Sequence, residues 1–160
     1  MMKTLNNTGK LIVSILFCEA TGFLSGWIGS AFKNPWFDHL QKPTWNPPGY
    51  IFGPVWTTLY LLMGISFWLI WKKESLSQKY RTTKIIFIIQ LCLNFCWSII
   101  FFRLHFPGWA FVDIILLLII LFITIFKFST ISKTAAWLLV PYIAWVCFAS
   151  CLNFAIWQLN

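Results

Sequence analysis

Long apolar runs separated by short charged segments dominate the chain. Five runs contain no more than one charged residue each: 11–32, 43–71, 85–102, 104–126 and 134–160. Each run is long enough for one membrane-spanning helix, which needs about 20 mainly apolar residues. Strands of a membrane barrel would be about 10 residues long and would alternate in polarity, which these runs do not. The pattern therefore predicts five transmembrane helices.

These runs use almost the whole chain, so we expect an all-α integral membrane protein with a five-helix bundle as its single domain, 1–160. The predicted helices are about 10–32, 49–71, 83–103, 107–127 and 134–158, with an outer loop rich in Trp and Pro at 33–48. Only 10% of the residues are charged, against about 25% in a typical soluble domain. Composition thus argues against a soluble or disordered chain.

The N-terminus imitates a secretory signal through Lys3, Lys10 and the apolar stretch 11–17. Glu19 interrupts the apolar region, and no A-x-A-like cleavage site follows it. We therefore expect the segment to be retained as the first helix.

Positive charge is distributed unequally between the two ends of the predicted bundle. The N-terminus, the loop 72–84 and the loop near 127–133 share one end and carry nine Lys or Arg residues. The other end carries three: Lys33, Lys42 and Arg103. The positive-inside rule then predicts a cytoplasmic N-terminus, and we favour a bacterial plasma membrane, with the mitochondrial outer membrane as the alternative. Because the rule accounts for the net charge of +8, no nucleic-acid partner is expected.

The five cysteines all lie within predicted helices: Cys18, Cys92, Cys96, Cys147 and Cys151. The last four form two i,i+4 pairs, and each pair shares one helix face. A metal site would need further ligands, and no His lies at membrane depth. We therefore predict no metal and interpret the cysteines as small residues that let helices approach closely.

Two features of the first helix leave alternatives open. Gly22, Gly26 and Gly29 form a small-residue face, which indicates either a dimer contact or packing inside the bundle. Glu19 is an ionisable group near the middle of a membrane helix, which points to a function or to a protonated carboxyl hydrogen-bonded within the bundle.

The outer loop combines prolines with large aromatic side chains. Four prolines between positions 35 and 48 stiffen the backbone and disfavour a long helix. Trp36, Phe37 and Trp45 add aromatic area at the water boundary. The loop is either an aromatic belt with a turn or a semi-rigid lid over a cavity.

Polar and aromatic groups on four helices are predicted to lie in the outer half of the membrane. At about 1.5 Å per residue, Trp56 is about 10 Å and Asp113 about 8 Å from the outer ends of their helices. The same arithmetic gives about 13 Å for Asn94 and about 20 Å for Trp145. These four side chains therefore occupy overlapping depths beneath the outer loop.

The helical period brings further residues onto the same inward faces. Trp97 and Ser98 lie beside Asn94 on the third helix, and Ala149 follows Trp145 by one turn on the fifth. Polar side chains avoid lipid, so these faces should point into the bundle. They would form either an ordinary hydrogen-bonded core or a cavity lined by Trp56, Asn94, Trp97, Asp113, Trp145 and Ala149.

Several ordered motifs resemble the TspO/MBR family, the tryptophan-rich sensory and translocator proteins also called peripheral benzodiazepine receptors. The signature is Lys42-Pro-Thr-Trp45-Asn-Pro47-Pro48-Gly49 followed by Pro54-Val-Trp56-Thr-x-Leu-Tyr60. The third to fifth helices add Leu93-Asn94-Phe-x-Trp97-Ser98, Trp109-Ala110-x-x-Asp113 and Ala136-Trp137-Leu-Leu-x-Pro141-Tyr142-x-x-Trp145. The resemblance covers roughly residues 10–158.

The resemblance implies a five-helix bundle whose pocket binds protoporphyrin IX, haem and benzodiazepine-site ligands. It favours the cavity over the ordinary core, and it implies a homodimer. The positions that would bind the ligand are Phe37, Trp45, Trp56, Tyr60, Asn94, Trp97, Asp113, Trp145 and Ala149.

The resemblance leaves two function classes. The first is porphyrin sensing or transport, with porphyrin as a ligand and no cofactor. The alternative is an enzyme that degrades protoporphyrin IX in light and oxygen, with Trp56 and Trp145 as its catalytic residues. The sequence shows no conventional catalytic set, so the bound porphyrin would have to supply the photochemistry.

The residues present discriminate among the ligands of the family. Metal-free porphyrin suits the chain better than haem, because His39 and His105 lie in loops, away from pocket depth. A sterol is a doubtful partner, because Phe154 and Gln158 stand where the family's sterol motif has Tyr and a basic residue.

Overall fold

Five long helices make up most of the described chain. A computed structural model describes residues 5–33, 35–73 and 78–160, apart from the side chains at positions 32, 33 and 78. The helices long and apolar enough to span a membrane are Asn7–Ala31, Gly49–Trp71, Lys79–Arg103, Pro107–Ser129 and Lys133–Leu159. No strand occurs within these described ranges. The prediction of an all-α membrane protein is confirmed. Two groups used in the charge count, Lys3 and the side chain of Lys33, lie outside the described residues.

The helices follow the apolar runs closely. In chain order they are α1 Asn7–Lys33, α2 Trp36–His39, α3 Gly49–Trp71, α4 Gln78–Ser98, α5 Pro107–Ser129, α6 Lys133–Leu138 and α7 Val140–Leu159. A π-helical turn, Ile99–Arg103, extends α4. Two starts follow from simple chemistry: Pro107 opens α5 without an N–H to satisfy, and the Ser132 hydroxyl caps α6 by accepting from the Ala135 N–H.

The predicted fifth helix is divided at Leu139. Pro141 has no N–H, and its ring disfavours a regular helix over the preceding turn. The Leu139 N–H donates to the carbonyl of Ala136 at 3.1 Å instead of the carbonyl one residue earlier. The Ser66 hydroxyl of α3 donates to that earlier carbonyl, on Ala135, at 2.7 Å. A neighbouring helix therefore satisfies the group that the break exposes.

The spanning helices are arranged as a ring. The first helix, α1, packs along α3 on one side and against α4 on the other. On the opposite side, α5 lies between α4 and α7, and α6 contacts both α3 and α5. The two remaining neighbours, α3 and α7, approach each other at few backbone positions and contact each other through the ring pairs Phe52–Trp145 and Trp56–Tyr142. The arrangement surrounds a large apolar core, with a smaller cluster around Phe101.

Gly22, Gly26 and Gly29 share one face of α1, as predicted, but they have different neighbours. An added Cβ on Gly22 would lie 2.2 Å from a ring carbon of Tyr60, and Gly29 faces the ring of Phe102. Gly26 has no atom within 4 Å of the corresponding position. Gly22 therefore permits internal packing of α1 on α3, whereas Gly26 faces away from the bundle.

The four paired cysteines lie on the outside of the helices. Cys92, Cys96, Cys147 and Cys151 are all exposed, and Cys18 alone among the five is buried. The four residues therefore do not bring helices of this chain together. They lie on the outer surface of the bundle, on the sides opposite Asn94 and Trp145, as the helical period predicts.

Candidate functional site

A chain of hydrogen bonds crosses the middle of the bundle. The Tyr60 hydroxyl donates to Oδ1 of Asn94, and Nδ2 of Asn94 donates to the Tyr142 hydroxyl at 2.9 Å. All three side chains are buried. Because an amide carries both an acceptor and a donor, Asn94 can pair two phenols at once. The chain joins α3, α4 and α7 at one depth.

A second chain of hydrogen bonds lies nearer the outer end, about one turn beyond Asn94 on α4 and about three turns beyond Tyr142 on α7. Nε1 of Trp97 donates to Oδ1 of Asn153 at 2.9 Å. Nδ2 of Asn153 then donates to the backbone carbonyl of Pro107 at 2.8 Å. This chain ties α4 and α7 to the first residue of α5, and it fixes the orientation of the Trp97 indole.

A small cavity lies between these chains. Its lining comes from four helices: Trp56, Asn94, Trp97, Ile114, Leu117, Val146 and Ala149. Its volume is about 10 Å³, roughly the space that one water molecule needs. The gap expected beside Ala149 therefore exists, but it is far smaller than a planar tetrapyrrole.

Two buried side-chain atoms, Oδ2 of Asp113 and Nε1 of Trp145, have no hydrogen-bond partner. Asp113 and Trp145 do not themselves line the cavity, contrary to the expectation from the sequence, but their chain neighbours Ile114 and Val146 do. The Trp145 ring lies 5.9 Å from the ring of Phe52 and 5.4 Å from that of Phe148. Since buried polar groups are normally paired, an acceptor and a donor remain available for a ligand.

The outer loop lies over this end of the bundle. The Trp45 ring is 5.8 Å from that of Phe148 and so joins the aromatic cluster around Trp145. Two reciprocal hydrogen bonds clasp the loop to the end of α7. Backbone N–H of Gln41 donates to Oδ1 of Asn160 at 2.9 Å, and Nδ2 of Asn160 donates to the Gln41 carbonyl at 3.0 Å.

Phe37 lies apart from the cavity. Its ring is 6.2 Å from that of Phe101 and 5.7 Å from that of Phe102, and Nζ of Lys42 lies 4.5 Å above it. These neighbours form a second aromatic cluster at the outer end of α4. The structure therefore brings Trp56, Asn94, Trp97 and Ala149 together around the cavity and separates Phe37 from them.

Some residues of the site were not among the predicted ones. Tyr142 pairs with Asn94, Asn153 with Trp97, and Ile114, Leu117 and Val146 complete the cavity wall. The helical period gave a usable signal for Tyr142 and Asn153, because both lie on the inward face of α7 that includes Trp145 and Ala149. Apolar wall residues give no such signal, because they resemble any other core position.

Comparison with known proteins yields close relatives over almost the full length. The model of the TspO/MBR family matches residues 14–158. A tryptophan-rich protein TspO from Archaeoglobus fulgidus is 42% identical over 154 residues, which are 96% of this chain and 99% of that protein. One from Chlorobaculum tepidum is 40% identical over 159 residues, 94% and 98% of the two chains. The translocator protein of Homo sapiens is 38% identical over 142 residues, 86% and 84%.

Fold and site define a class of protein: an integral membrane bundle of five helices with an aromatic, hydrogen-bonded centre. The matched family and the extent of the similarity go further than this class. The chain belongs to the TspO/MBR family.

Proposed function

We propose that this protein binds protoporphyrin IX within the bundle and acts in porphyrin sensing or transport. The observation that carries the proposal is the cavity bordered by the indoles of Trp56 and Trp97. Unpaired polar atoms on Asp113 and Trp145, each one residue along the chain from a lining residue, support it. Flat aromatic rings favour a planar apolar ligand. The unpaired donor on Trp145 suits a ligand carboxylate, and the acceptor on Asp113 suits a ligand N–H.

Binding requires the bundle to open. The cavity holds about 10 Å³, whereas ligand pockets commonly measure about 300–1,000 Å³. The closed form must therefore be in equilibrium with an expanded form, whose small population lowers the apparent affinity. We expect the observed association rate to level off at high ligand concentration, because opening then limits it.

The experiment is a dark titration of the detergent-purified protein with protoporphyrin IX, followed by quenching of tryptophan fluorescence. Ala149→Leu fills the cavity and should raise Kd more than about tenfold. Ala144→Leu is the matched control, because Ala144 lies on the exposed side of the same helix. Equal affinity of the two variants would move the binding site away from Ala149, and unsaturable quenching in the parent would refute the proposal.

The second candidate function is degradation of bound protoporphyrin IX in light and oxygen. Trp56 favours it, because this oxidisable indole borders the cavity and lies 5.7 Å from the Tyr60 ring and 6.3 Å from the Tyr142 ring. The porphyrin would absorb the light, oxygen would be the oxidant, and Trp56 and Trp145 would direct the reaction.

Illumination of the saturated sample in air separates the two functions. Trp56→Phe and Trp145→Phe should retain binding and lose the protein-dependent photoproduct if degradation is the function. Trp137→Phe is the control, since Trp137 is 72% exposed on the outside of the bundle. Identical photoproducts from all three variants would eliminate the role of the two tryptophans.

We further propose a homodimer in a bacterial plasma membrane, with the N-terminus in the cytoplasm. The charge difference between the two ends supports the orientation. The exposed Gly26 supports close approach of another helix, since small residues favour such contacts in membranes. Sedimentation of the protein in density-matched detergent would measure the mass of the assembly.

A further inference from the structure

A groove runs along the seam between α3 and α7. It measures about 270 Å³, and its lining is Pro54, Val55, Thr58, Leu59, Leu62 and Pro141. Thr58 supplies the only side-chain hydroxyl of this lining, and it donates to the Pro54 carbonyl at 2.9 Å. The groove therefore offers an apolar surface with no unpaired side-chain donor, which suits hydrocarbon or an apolar ring.

Both walls of the groove contain a proline. Pro54 lies inside α3, and Pro141 lies at the start of α7, immediately after the break at Leu139. Pro54 removes one backbone hydrogen bond inside α3, and Pro141 directly follows the break between α6 and α7. Helices bend most readily at such positions. The backbones of α3 and α7 also approach each other at few positions, so bending at the prolines has few close backbone contacts to disrupt.

The groove and the internal cavity border the same stretch of α3 without having a lining residue in common. Val55 faces the groove and its neighbour Trp56 faces the cavity. Leu59 lies one turn further along α3, borders the groove and is only 4% exposed. Leu59 is therefore a buried side chain at the groove, on the same stretch of α3 as Trp56 of the site.

The location of the groove specifies what can enter it. Pro54 is about 8 Å and Leu62 about 20 Å below the outer end of α3, so the groove opens onto the hydrocarbon of the bilayer. At the outer end, hydrogen bonds between Gln41 and Asn160 attach the outer loop to α7.

We propose that the α3–α7 groove is the lateral entry route by which a planar apolar ligand passes from the bilayer into the site. This inference rests on the proposed porphyrin binding and adds the path to it. The side chain of Leu59 is the barrier on that path, and bending at the two prolines moves the walls apart.

A route residue has a different kinetic effect from a site residue. Blocking a route slows entry and exit by the same factor and leaves Kd unchanged, because both end states are unaffected. Thr58→Phe fills the groove and should lower both rate constants of protoporphyrin IX about tenfold. Thr57→Phe is the matched control, because Thr57 is also exposed on α3, has the same type of hydrogen bond, to Gly53 at 3.0 Å, and does not line the groove.

The measurement is stopped-flow quenching of tryptophan fluorescence in nanodiscs, with protoporphyrin IX supplied from lipid vesicles. Leu62→Phe serves as a second filler of the groove, and Leu59→Ala should raise both rate constants. Unchanged rates in both filled variants, or acceleration by Asn160→Ala alone, would overturn the route in favour of entry through the loop. Absence of saturable quenching in the parent would instead overturn the porphyrin binding on which the route depends.

Discussion

Asn94 illustrates why single polar residues matter at this depth. Among the residues that the structure describes, Asn94 alone forms hydrogen bonds with both Tyr60 and Tyr142. Inside a membrane protein no bulk water is available to pair with a buried phenol, so a phenol without a hydrogen-bond partner destabilises the fold. A residue with only a donor or only an acceptor could not replace the amide.

Asn94→Leu should lower the free energy of unfolding by about 1–2 kcal/mol, because two buried phenols lose their partner. Tyr142→Phe should have a smaller effect, since it removes one hydrogen bond and leaves the bond between Asn94 and Tyr60. Unfolding of the protein in mixed micelles by titration with SDS measures both. If Asn94→Leu were as stable as the parent, the hydrogen bonds from Asn94 to Tyr60 and Tyr142 would contribute nothing to the stability of the fold.

The sequence indicated the positions of polar residues better than their partners. The i,i+4 spacing on α4 correctly identified Asn94 as inward-facing, because a helical period alone determines which residues share a face. The pairing of Trp97 with Asn153 depends on how far α4 and α7 approach each other. That distance depends on side-chain packing across the whole bundle, so no local pattern predicts it.

Among the elements, the pair formed by α1 and α3 is packed most closely. Gly22 lies on the Tyr60 ring, and Gly64 lies against the backbone of Ile15, where an added Cβ would come within 2.7 Å of Cα. Glycine at these two positions lets the helices approach each other. The same contact keeps the Tyr60 hydroxyl directed at Asn94.

Gly22→Ala should therefore destabilise the protein by about 1–3 kcal/mol, as overpacking of a filled core does. Gly26→Ala is the control on the same helix and should leave the monomer as stable as the parent, because its surroundings are open. Thermal unfolding in detergent, at a concentration where the protein is monomeric, compares the two. Equal melting temperatures would show that α1 can shift to accommodate the methyl group.

At the scale of elements, hydropathy predicted the existence of each span but not its interruptions. Pro141 is visible in the sequence, yet a proline near a helix start is compatible with one continuous helix or with two. The outcome depends on Ser66, 75 residues earlier, which satisfies the carbonyl of Ala135 that the break exposes. Such a compensation across two helices has no local signature.

At the scale of the whole molecule, the two ends of the bundle differ in positive charge, and this difference predicts the orientation of the protein in the membrane. We expect a membrane-impermeant maleimide, added to intact cells, to label Gln41→Cys and not Ser129→Cys in a background lacking the native cysteines. Both positions are exposed at opposite ends of the bundle. Labelling of the Ser129→Cys variant alone would reverse the proposed orientation.

The number of spans was predictable because apolar length dominates the behaviour of a chain in a bilayer. The small volume of the cavity was not, because it results from the exact packing of seven side chains on four helices. Composition therefore predicts which segments span the membrane, whereas the space available to a ligand depends on how the side chains of different helices pack.

Burial increases along the chain, and this has a consequence for biosynthesis. In the most apolar window of the first span 17% of residues are buried, against 39% in the last. The ribosome synthesises the spans in that order. The first span to enter the membrane is therefore the one that buries the smallest share of its residues against other helices, and lipid can solvate most of its surface. The last span carries Tyr142, Val146 and Ala149, which need partners that have all been synthesised before it. The site is thus completed only once the fifth span has been synthesised, and a chain truncated before that span would insert without acquiring it.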